Sequence, residues 1–161
     1  MASWSVVANS SRQTMGWGRN LARLVQGGDI IGLIGELGAG KTCFVRGFAE
    51  GLEIGKDAWI RSPSFTLINE YHARLPIYHI DLYRIGERRE FEGLNLRDYL
   101  YSDGVSLIEW FEKLPETEVD EYLEVRIDHV GGSKRRLTFT GRGERYERMV
   151  EELKKIKKLK K

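Results

Sequence analysis

The sequence predicts an α/β fold in which helices flank a mixed sheet that contains antiparallel hairpins. A glycine-rich turn joins an apolar run to a helical pattern over residues 29–49, which indicates a strand, a loop and a helix in succession. Two later regions, 64–82 and 122–140, each hold two alternating segments around a short turn, which is typical of hairpins. With 161 residues, 41% of them hydrophobic, the chain is expected to form a single domain over 1–161.

The first third of the chain alternates between strand and helix patterns. Residues 4–8 predict a short strand, and residues 9–11 are of helix-capping types. The helix that follows ends at two glycines, 27 and 28, and its apolar positions are Met15, Trp17, Leu21, Leu24 and Val25. Residues 29–34 predict a buried strand, and residues 42–49 predict a helix that closes near Gly51.

The middle of the chain predicts a hairpin, a helix and a further strand. Segments 64–71 and 77–82 form a hairpin that is inserted in the sheet or lies at its edge. Residues 88–101 have a helical pattern broken near Gly93. Residues 105–110 predict a buried strand that ends in a carboxylate.

The last third predicts a second hairpin and a final helix. Segments 122–127 and 136–140 alternate around a pair of glycines, 131 and 132. From Gly143 onward, helical spacing is kept by Tyr146, Met149, Val150, Leu153 and Ile156. The helix runs into a lysine-rich tail over 154–161.

The turn after the second strand fits the pattern G-x-x-x-x-G-K-[ST] at every fixed position. Its residues are Gly35, Glu36, Leu37, Gly38, Ala39, Gly40, Lys41 and Thr42. Glycines let backbone N–H groups turn inward as a nest for anionic oxygens, and the next helix directs its positive end at them. Lys41 can reach the β- and γ-phosphates, and the Thr42 hydroxyl suits Mg²⁺. The motif predicts a P-loop NTPase-like, three-layer fold that binds a nucleoside triphosphate.

Two carboxylates end apolar strands, and a P-loop enzyme needs such a group for its Mg²⁺ shell. Glu109 follows the more apolar run, so we assign it with Thr42 to the metal. Asp81 then orients or deprotonates the attacking water, or supports the metal indirectly. For each acid the alternative is a cap or a salt bridge at a strand end. Lys41, Asp81 and Glu109 are the predicted catalytic residues.

Other features are less specific. Ser62 and Ser64 flank a proline and are candidate switch residues that sense a γ-phosphate, or else belong to a plain turn. Trp110 stacks on a base or packs in the core. His79 has no second His or Cys nearby, so we interpret it as structural rather than as a metal ligand. The tail over 154–161 attracts RNA phosphates or is a solvated helix end.

Several absences narrow the class of protein. The one cysteine, Cys43, excludes an internal disulfide and is typical of a reducing cytosol, where packing is its expected role. No apolar run approaches the roughly 18 residues of a membrane span. No secretory signal begins the sequence, so a cytoplasmic protein is expected. No N-K-x-D sequence is present to read guanine, which favours ATP.

Four motifs occur in one order: G-E-L-G-A-G-K-T at 35–42, S-P-S-F at 62–65, H-I-D-L-Y-R at 79–84 and I-E-W at 108–110. Together they closely resemble the bacterial TsaE family, also called YjeE, of small P-loop ATPases in tRNA threonylcarbamoyladenosine biosynthesis. The likeness covers residues 5–140. The last two motifs, with S-P-[ST]-[FY] before them, are far more specific than the P-loop alone.

The resemblance implies a function and a set of partners. TsaE-like proteins bind ATP and Mg²⁺, hydrolyse ATP slowly alone, and associate with a TsaB–TsaD heterodimer. That heterodimer transfers the threonylcarbamoyl group to the adenosine next to the anticodon of tRNA. Hydrolysis is expected to reset the complex between turnovers, so contact with tRNA would be indirect.

The resemblance also implies roles for residues. The phosphates are bound by Glu36, Leu37, Gly38, Ala39, Gly40, Lys41 and Thr42. Asp81 matches the family's functionally important aspartate, and Trp110 matches a tryptophan linked to nucleotide binding. Ser11 and Thr14 match the region that approaches the adenine. Ser64 stands where many members have Thr, and the lysine-rich tail lies outside the pattern.

We therefore expect an ATP-hydrolysing subunit required for threonylcarbamoyladenosine modification of tRNA. A small-molecule kinase is an alternative, and its ATP turnover would be stimulated by a phosphate acceptor. A nucleotide-gated adaptor would keep its partner function when Glu109 or Asp81 is neutralised. A direct RNA-binding protein would hold tRNA without partners, with strong salt dependence.

Overall fold

The computed structural model describes residues 1–36, 38–55, 68–86, 90, 93, 95–115 and 117–159. Within these ranges, seven strands form one sheet: β1 (Ala2–Ala8), β2 (Ile30–Ile34), β3 (Ile68–Tyr71), β4 (Ile77–Asp81), β5 (Val105–Glu109), β6 (Tyr122–Gly131) and β7 (Lys134–Arg142). Three α-helices have described bounds, α1 (Ser11–Ala22), α2 (Lys41–Gly51) and α3 (Glu144–Leu159), and Glu90 and Gly93 are helical as well. Two short 3-10 helices span Leu96–Asp98 and Phe111–Lys113.

The strand order across the sheet is β1-β7-β6-β2-β5-β4-β3. Strands β4, β5, β2 and β6 are parallel neighbours, whereas β3 pairs antiparallel with β4, and β7 pairs antiparallel with both β6 and β1. The carboxyl ends of the four parallel strands therefore meet at one edge, where α/β proteins place their ligands. The start of β7 lies at the same edge. The predicted α/β fold, with a mixed sheet and two antiparallel hairpins, is confirmed.

One face of the sheet is covered by helices α1, α2 and α3. Alternate residues of β6 and β7 point toward them and are fully buried, among them Val125 and Phe139. Helices α1 and α2 lie in close contact, because a Cβ added at Gly47 would lie 2.0 Å from the Met15 carbonyl oxygen. Helix α3 covers the β7 end through Tyr146, Met149, Val150 and Leu153.

The opposite face is divided. Under β2, β4 and β5, the side chains of Ile30, Ile80 and Ile108 are buried beneath the 3-10 segments. Across β1 and β7 the same face is polar, where two hydroxyl pairs join Ser3 to Thr140 and Ser5 to Thr138. Parallel strands need cover on both faces, whereas antiparallel strands tolerate water on one. The third layer therefore covers only the parallel half in the described ranges.

The N-terminal boundaries of the helices follow the sequence signals, whereas α1 ends at Ala22 and not at the predicted glycines 27 and 28. The Ser10 side chain accepts a hydrogen bond from the Gln13 N–H and caps α1, as residues 9–11 predicted. Helix α2 begins after Gly40, whose φ of 105° is left-handed and favours glycine. The predicted final helix is confirmed as α3. No helix of the described ranges is both long and apolar enough to cross a membrane.

Some predicted boundaries differ from the structure. The strand predicted over 105–110 ends at Glu109, because Trp110 turns into a left-handed conformation with φ of 58°. Within the predicted helix over 88–101, Leu96–Asp98 is a 3-10 helix that begins after a left-handed Asn95. The remainder of that helix lies mostly outside the described residues. The first predicted hairpin strand, over 64–71, is described only from Ile68.

Candidate nucleotide site

The glycine-rich loop after β2 forms a left-handed nest. Gly38 and Gly40 have φ values of 80° and 105°, which L side chains rarely adopt. The Ala39 N–H donates to the Glu36 carbonyl at 2.9 Å and closes the turn. Successive N–H groups in such a loop, followed at once by helix α2, make an anion-binding concavity. Leu37 lies outside the described residues.

Lys41 is the first residue of α2, and only 6% of it is exposed. Its Nζ donates to the Gly35 carbonyl at 2.6 Å and lies 4.0 Å from the centre of the Trp110 ring. Burial lowers the pKa of Lys41, while the charges of Glu109 and Asp81 act in the opposite direction. The ammonium is therefore held over the loop, close to where a phosphate would lie.

Asp81 and Glu109 lie side by side at the ends of β4 and β5. They are register partners on parallel strands and are 4% and 3% exposed, respectively. Their side chains point to the α2 face, because Ile80 and Ile108 before them belong to the opposite core. Both line one cavity of about 590 Å³ together with Lys41, Thr42 and Trp110. The structure thus brings the predicted catalytic and metal-binding residues together.

His79 contacts Glu109 directly, which the sequence analysis missed. The fully buried imidazole places Nε2 at 2.5 Å from Glu109 Oε2, while Nδ1 has no hydrogen-bond partner in the described part of the chain. A proton on Nδ1 would be a buried donor without an acceptor, so the geometry favours a ring that carries its proton on Nε2 and donates it to Glu109. The signal available was the position of His79 two residues before Asp81, which places both on one strand face.

Asp81 has a second task beside the cavity. Its Oδ1 accepts a hydrogen bond from the Tyr83 N–H at 2.9 Å, which caps the turn after β4. The predicted cap and the predicted place in the site therefore coexist in one side chain. This hydrogen bond fixes where the carboxylate lies.

Trp110 joins the loops that follow β4 and β5. Its ring centre lies 5.1 Å from that of Tyr83, and its left-handed backbone is uncommon for a bulky residue. Lys113 ties the same loops together by donating to the Tyr83 carbonyl at 2.5 Å and the Ile85 carbonyl at 3.3 Å. Such strained, braced positions cluster at functional sites.

The capping segment predicted to approach the adenine lies beside α2. The Ser11 carbonyl accepts a hydrogen bond from Cys43 Sγ at 3.3 Å, one residue beyond Thr42. Burial raises the pKa of the Cys43 thiol, which suits a packing role. Thr14 is 1% exposed, and its hydroxyl donates to the Ser10 carbonyl at 3.4 Å within the first helical turn. Adenine contact by Ser11 or Thr14 stays a prediction.

Three further residues concern the site: two that the sequence predicted and one that it did not. Ser62 and Ser64, the candidate switch residues, lie outside the described residues. Arg135, near the start of β7, reaches the P-loop and donates from Nε to the Ala39 carbonyl at 2.8 Å. Sequence reasoning had no signal for this contact, because it joins residues 96 positions apart.

The nest, its lysine and the two strand-end carboxylates define the class of P-loop nucleotide-binding proteins. Comparison with known proteins gives the family. The family model "Threonylcarbamoyl adenosine biosynthesis protein TsaE" matches residues 8–137. The chain belongs to the TsaE family, and the resemblance found in its motifs is confirmed.

Individual relatives agree with this assignment. The chain is similar to the tRNA threonylcarbamoyladenosine biosynthesis protein TsaE of Bacillus subtilis, with 44% identity over 82% of each chain. It is 42% identical to the TsaE of Treponema pallidum over 76% of this chain and 92% of that protein. Among solved structures, the crystal structure of Bacillus subtilis YdiB superposes with a TM-score of 0.83 and 35% identity, covering 97% of both chains.

Proposed function

We propose that this member of the TsaE family is a Mg²⁺-dependent ATPase of tRNA threonylcarbamoyladenosine biosynthesis. The main support for the proposal is that Lys41, Thr42, Asp81 and Glu109 line one shared cavity beside the left-handed glycine loop. A nest alone binds an anion, whereas two buried carboxylates beside it suit a metal and a water. Membership of the family supplies the biological process.

The donors present fit Mg²⁺. Thr42 and Glu109 offer hard oxygen ligands, and Mg²⁺ commonly takes only one or two protein ligands together with phosphates and waters. The described ranges contain no group of three or more His, Cys, Asp and Glu side chains that could hold a metal alone, which is consistent with this mode of binding. When bound, the metal neutralises charge that develops on the transferring phosphoryl group.

The residues of the chain then have distinct tasks in an in-line attack of water on the γ-phosphate. Lys41 exchanges the Gly35 carbonyl for phosphate oxygens and neutralises charge, together with the backbone amides of the loop. Asp81 orients the attacking water or accepts its proton. Glu109, held by His79, keeps the carboxylate toward the metal position.

The partners of the reaction are inferred from the family resemblance. We propose that ATP turnover in this subunit supports repeated cycles of a TsaB–TsaD heterodimer in the cytoplasm, with tRNA contacted through the complex. The decisive assay is modification of tRNA by TsaB and TsaD under multiple-turnover conditions, with and without this protein. A yield that is indifferent to the protein would contradict the role even if ATP hydrolysis stands.

The chemical proposal is tested by Lys41→Ala. We expect ATP turnover to be lost, because the loop then lacks the cation that neutralises the β- and γ-phosphates. Lys155→Ala, at an exposed lysine of α3, is the matched control and should keep wild-type turnover. Unchanged ATP hydrolysis by Lys41→Ala would contradict the proposal. A rate of ATP turnover that rises with an added phosphate acceptor would favour a kinase.

A further inference from the structure

Arg135 lies against the outer side of the P-loop and bridges it to the β6–β7 turn. Its Nε donates to the Ala39 carbonyl at 2.8 Å, and its Nη1 donates to the carbonyls of Gly132 and Lys134, both at 2.9 Å. The side chain is on the helix face of the sheet, since Leu137, two residues further along the strand, is buried there. Three backbone carbonyls therefore share one guanidinium.

The position of the Ala39 carbonyl determines the direction of the next amide. In a trans peptide the C=O and the following N–H point in opposite directions, and the described part of the chain has no cis peptide bond. Because Arg135 holds the Ala39 oxygen outward, the Gly40 N–H must point to the other side. Gly40 lines the 590 Å³ cavity with Lys41 and Thr42. The amide is thus directed at the anion position.

The need for an arginine follows from the geometry. A guanidinium is planar and donates in several fixed directions at once, whereas an ammonium is a compact point charge. The fixed directions of Nε and Nη1 let this one side chain hold the P-loop carbonyl and both turn carbonyls at once. The turn itself is anchored by the β6–β7 ladder, in which Arg135 is the register partner of His129. The P-loop is thereby braced against the sheet from outside the motif.

We propose that Arg135 is a positioning residue of the phosphate site, which fixes the Ala39–Gly40 peptide so that its N–H faces the bound phosphates. The inference rests on the proposed nucleotide binding and assigns part of it to a residue of the β6–β7 hairpin. Arg136 provides a matched control. It is the next residue on the same strand, it has the same charge, and it points to the opposite, solvent-exposed face.

The experiment compares Arg135→Met with Arg136→Met by calorimetric titration with a non-hydrolysable ATP analogue and Mg²⁺. It is done at high salt, where long-range charge effects are screened. We expect Arg135→Met to bind the analogue about tenfold more weakly, the value of one lost charge-assisted hydrogen bond. Arg136→Met should bind like the wild type. In steady-state turnover, KM should rise more than kcat falls, because ground-state binding is what is lost.

The outcomes separate the two levels of the proposal. Failure of the wild-type protein to bind the analogue overturns the proposed function and this inference with it. Binding by the wild type, with equal affinities for both methionine variants, overturns only the role of Arg135. Thermal unfolding monitored by circular dichroism verifies that each variant is folded. If Arg135→Met does not fold, Arg135→Lys decides, since weaker binding than Arg136→Met supports positioning and equal binding refutes it.

Discussion

Replacing His79 by leucine tests how the buried carboxylate of the site is held. Glu109 is 3% exposed and its Oε2 lies 2.5 Å from the imidazole of a fully buried histidine. Leucine has a similar size but cannot donate, so the carboxylate loses its partner while it stays buried. Losing one partner of a buried charged hydrogen bond costs about 3 kcal/mol. This value is the upper end of the range for hydrogen bonds to charged groups and the lower end of the range for broken buried ion pairs. We expect that loss in the free energy of unfolding.

Chemical denaturation followed by circular dichroism measures this loss, and a double-mutant cycle assigns it. His79→Leu combined with Glu109→Leu should recover most of the stability, because replacing both partners by apolar groups removes the unpaired charge. His72→Leu, at an exposed histidine of the same hairpin, is the control and should leave the free energy of unfolding unchanged.

The same variant has a functional readout. Without His79 the Glu109 carboxylate loses the hydrogen bond that orients it. If Glu109 binds Mg²⁺ as proposed, this loss should weaken the metal affinity by about 10- to 100-fold, the effect that outer partners of metal ligands have. We expect the Mg²⁺ concentration for half-maximal ATP turnover to rise by that order in His79→Leu and to stay constant in His72→Leu. Unfolding free energy and Mg²⁺ requirement both equal to wild type would refute the reasoning.

Two further predictions concern stability. In Gly47→Ala, the new Cβ would lie 2.0 Å from the Met15 carbonyl oxygen, so helices α1 and α2 must move apart. We expect the free energy of unfolding to fall by more than about 2 kcal/mol. The control is Gly16→Ala, because its new Cβ would lie 3.8 Å from an Arg19 nitrogen, an ordinary contact distance. This variant should be neutral or slightly stabilising in thermal unfolding. Similar melting temperatures for the two variants would contradict the close packing of α1 on α2. For Tyr146, burial raises the pKa from 10.0 to about 12, so the stability contributed by the neutral phenol is complete below pH 10 and is lost as the pH rises toward 12. The stability difference between wild type and Tyr146→Phe should therefore shift by about 1 kcal/mol against the wild type between pH 10 and pH 11 in denaturant titrations, and a constant difference would show that the phenol is not the group that titrates.

The sequence predicts the fold wherever local chemistry decides it. The apolar run before Gly35, the capping residue Ser10 and the helical spacing after Gly143 each correspond to an observed element. Both hairpins were readable because their strands are close in sequence. The pairing of β1 with β7 could not be predicted from the sequence, because no local pattern indicates which distant strand will lie beside an edge strand.

The site divides in the same way. The P-loop and the positions of Asp81 and Glu109 could be predicted, because the loop has a fixed sequence pattern and each acid ends an apolar strand of the parallel half of the sheet. His79 and Arg135 act through contacts that depend on strand register and on a distant hairpin. Trp110 was predicted inside a strand, which is wrong, because the turn after Glu109 depends on packing around Lys41 and Tyr83.

The sheet order has a consequence for synthesis of the chain. Strand β2 is buried at all five residues, yet its neighbours β5 and β6 are synthesised long after it. Strand β1 likewise pairs with β7, which is the last strand to be synthesised. Because contacts between distant segments form slowly, the early strands stay without their partners in the sheet until the later strands have been made. The phosphate loop is among the first segments made, but the hairpin that braces it is among the last. Nascent chains that stop before residue 134 therefore carry the complete P-loop motif without Arg135, the residue whose guanidinium contacts the loop at Ala39.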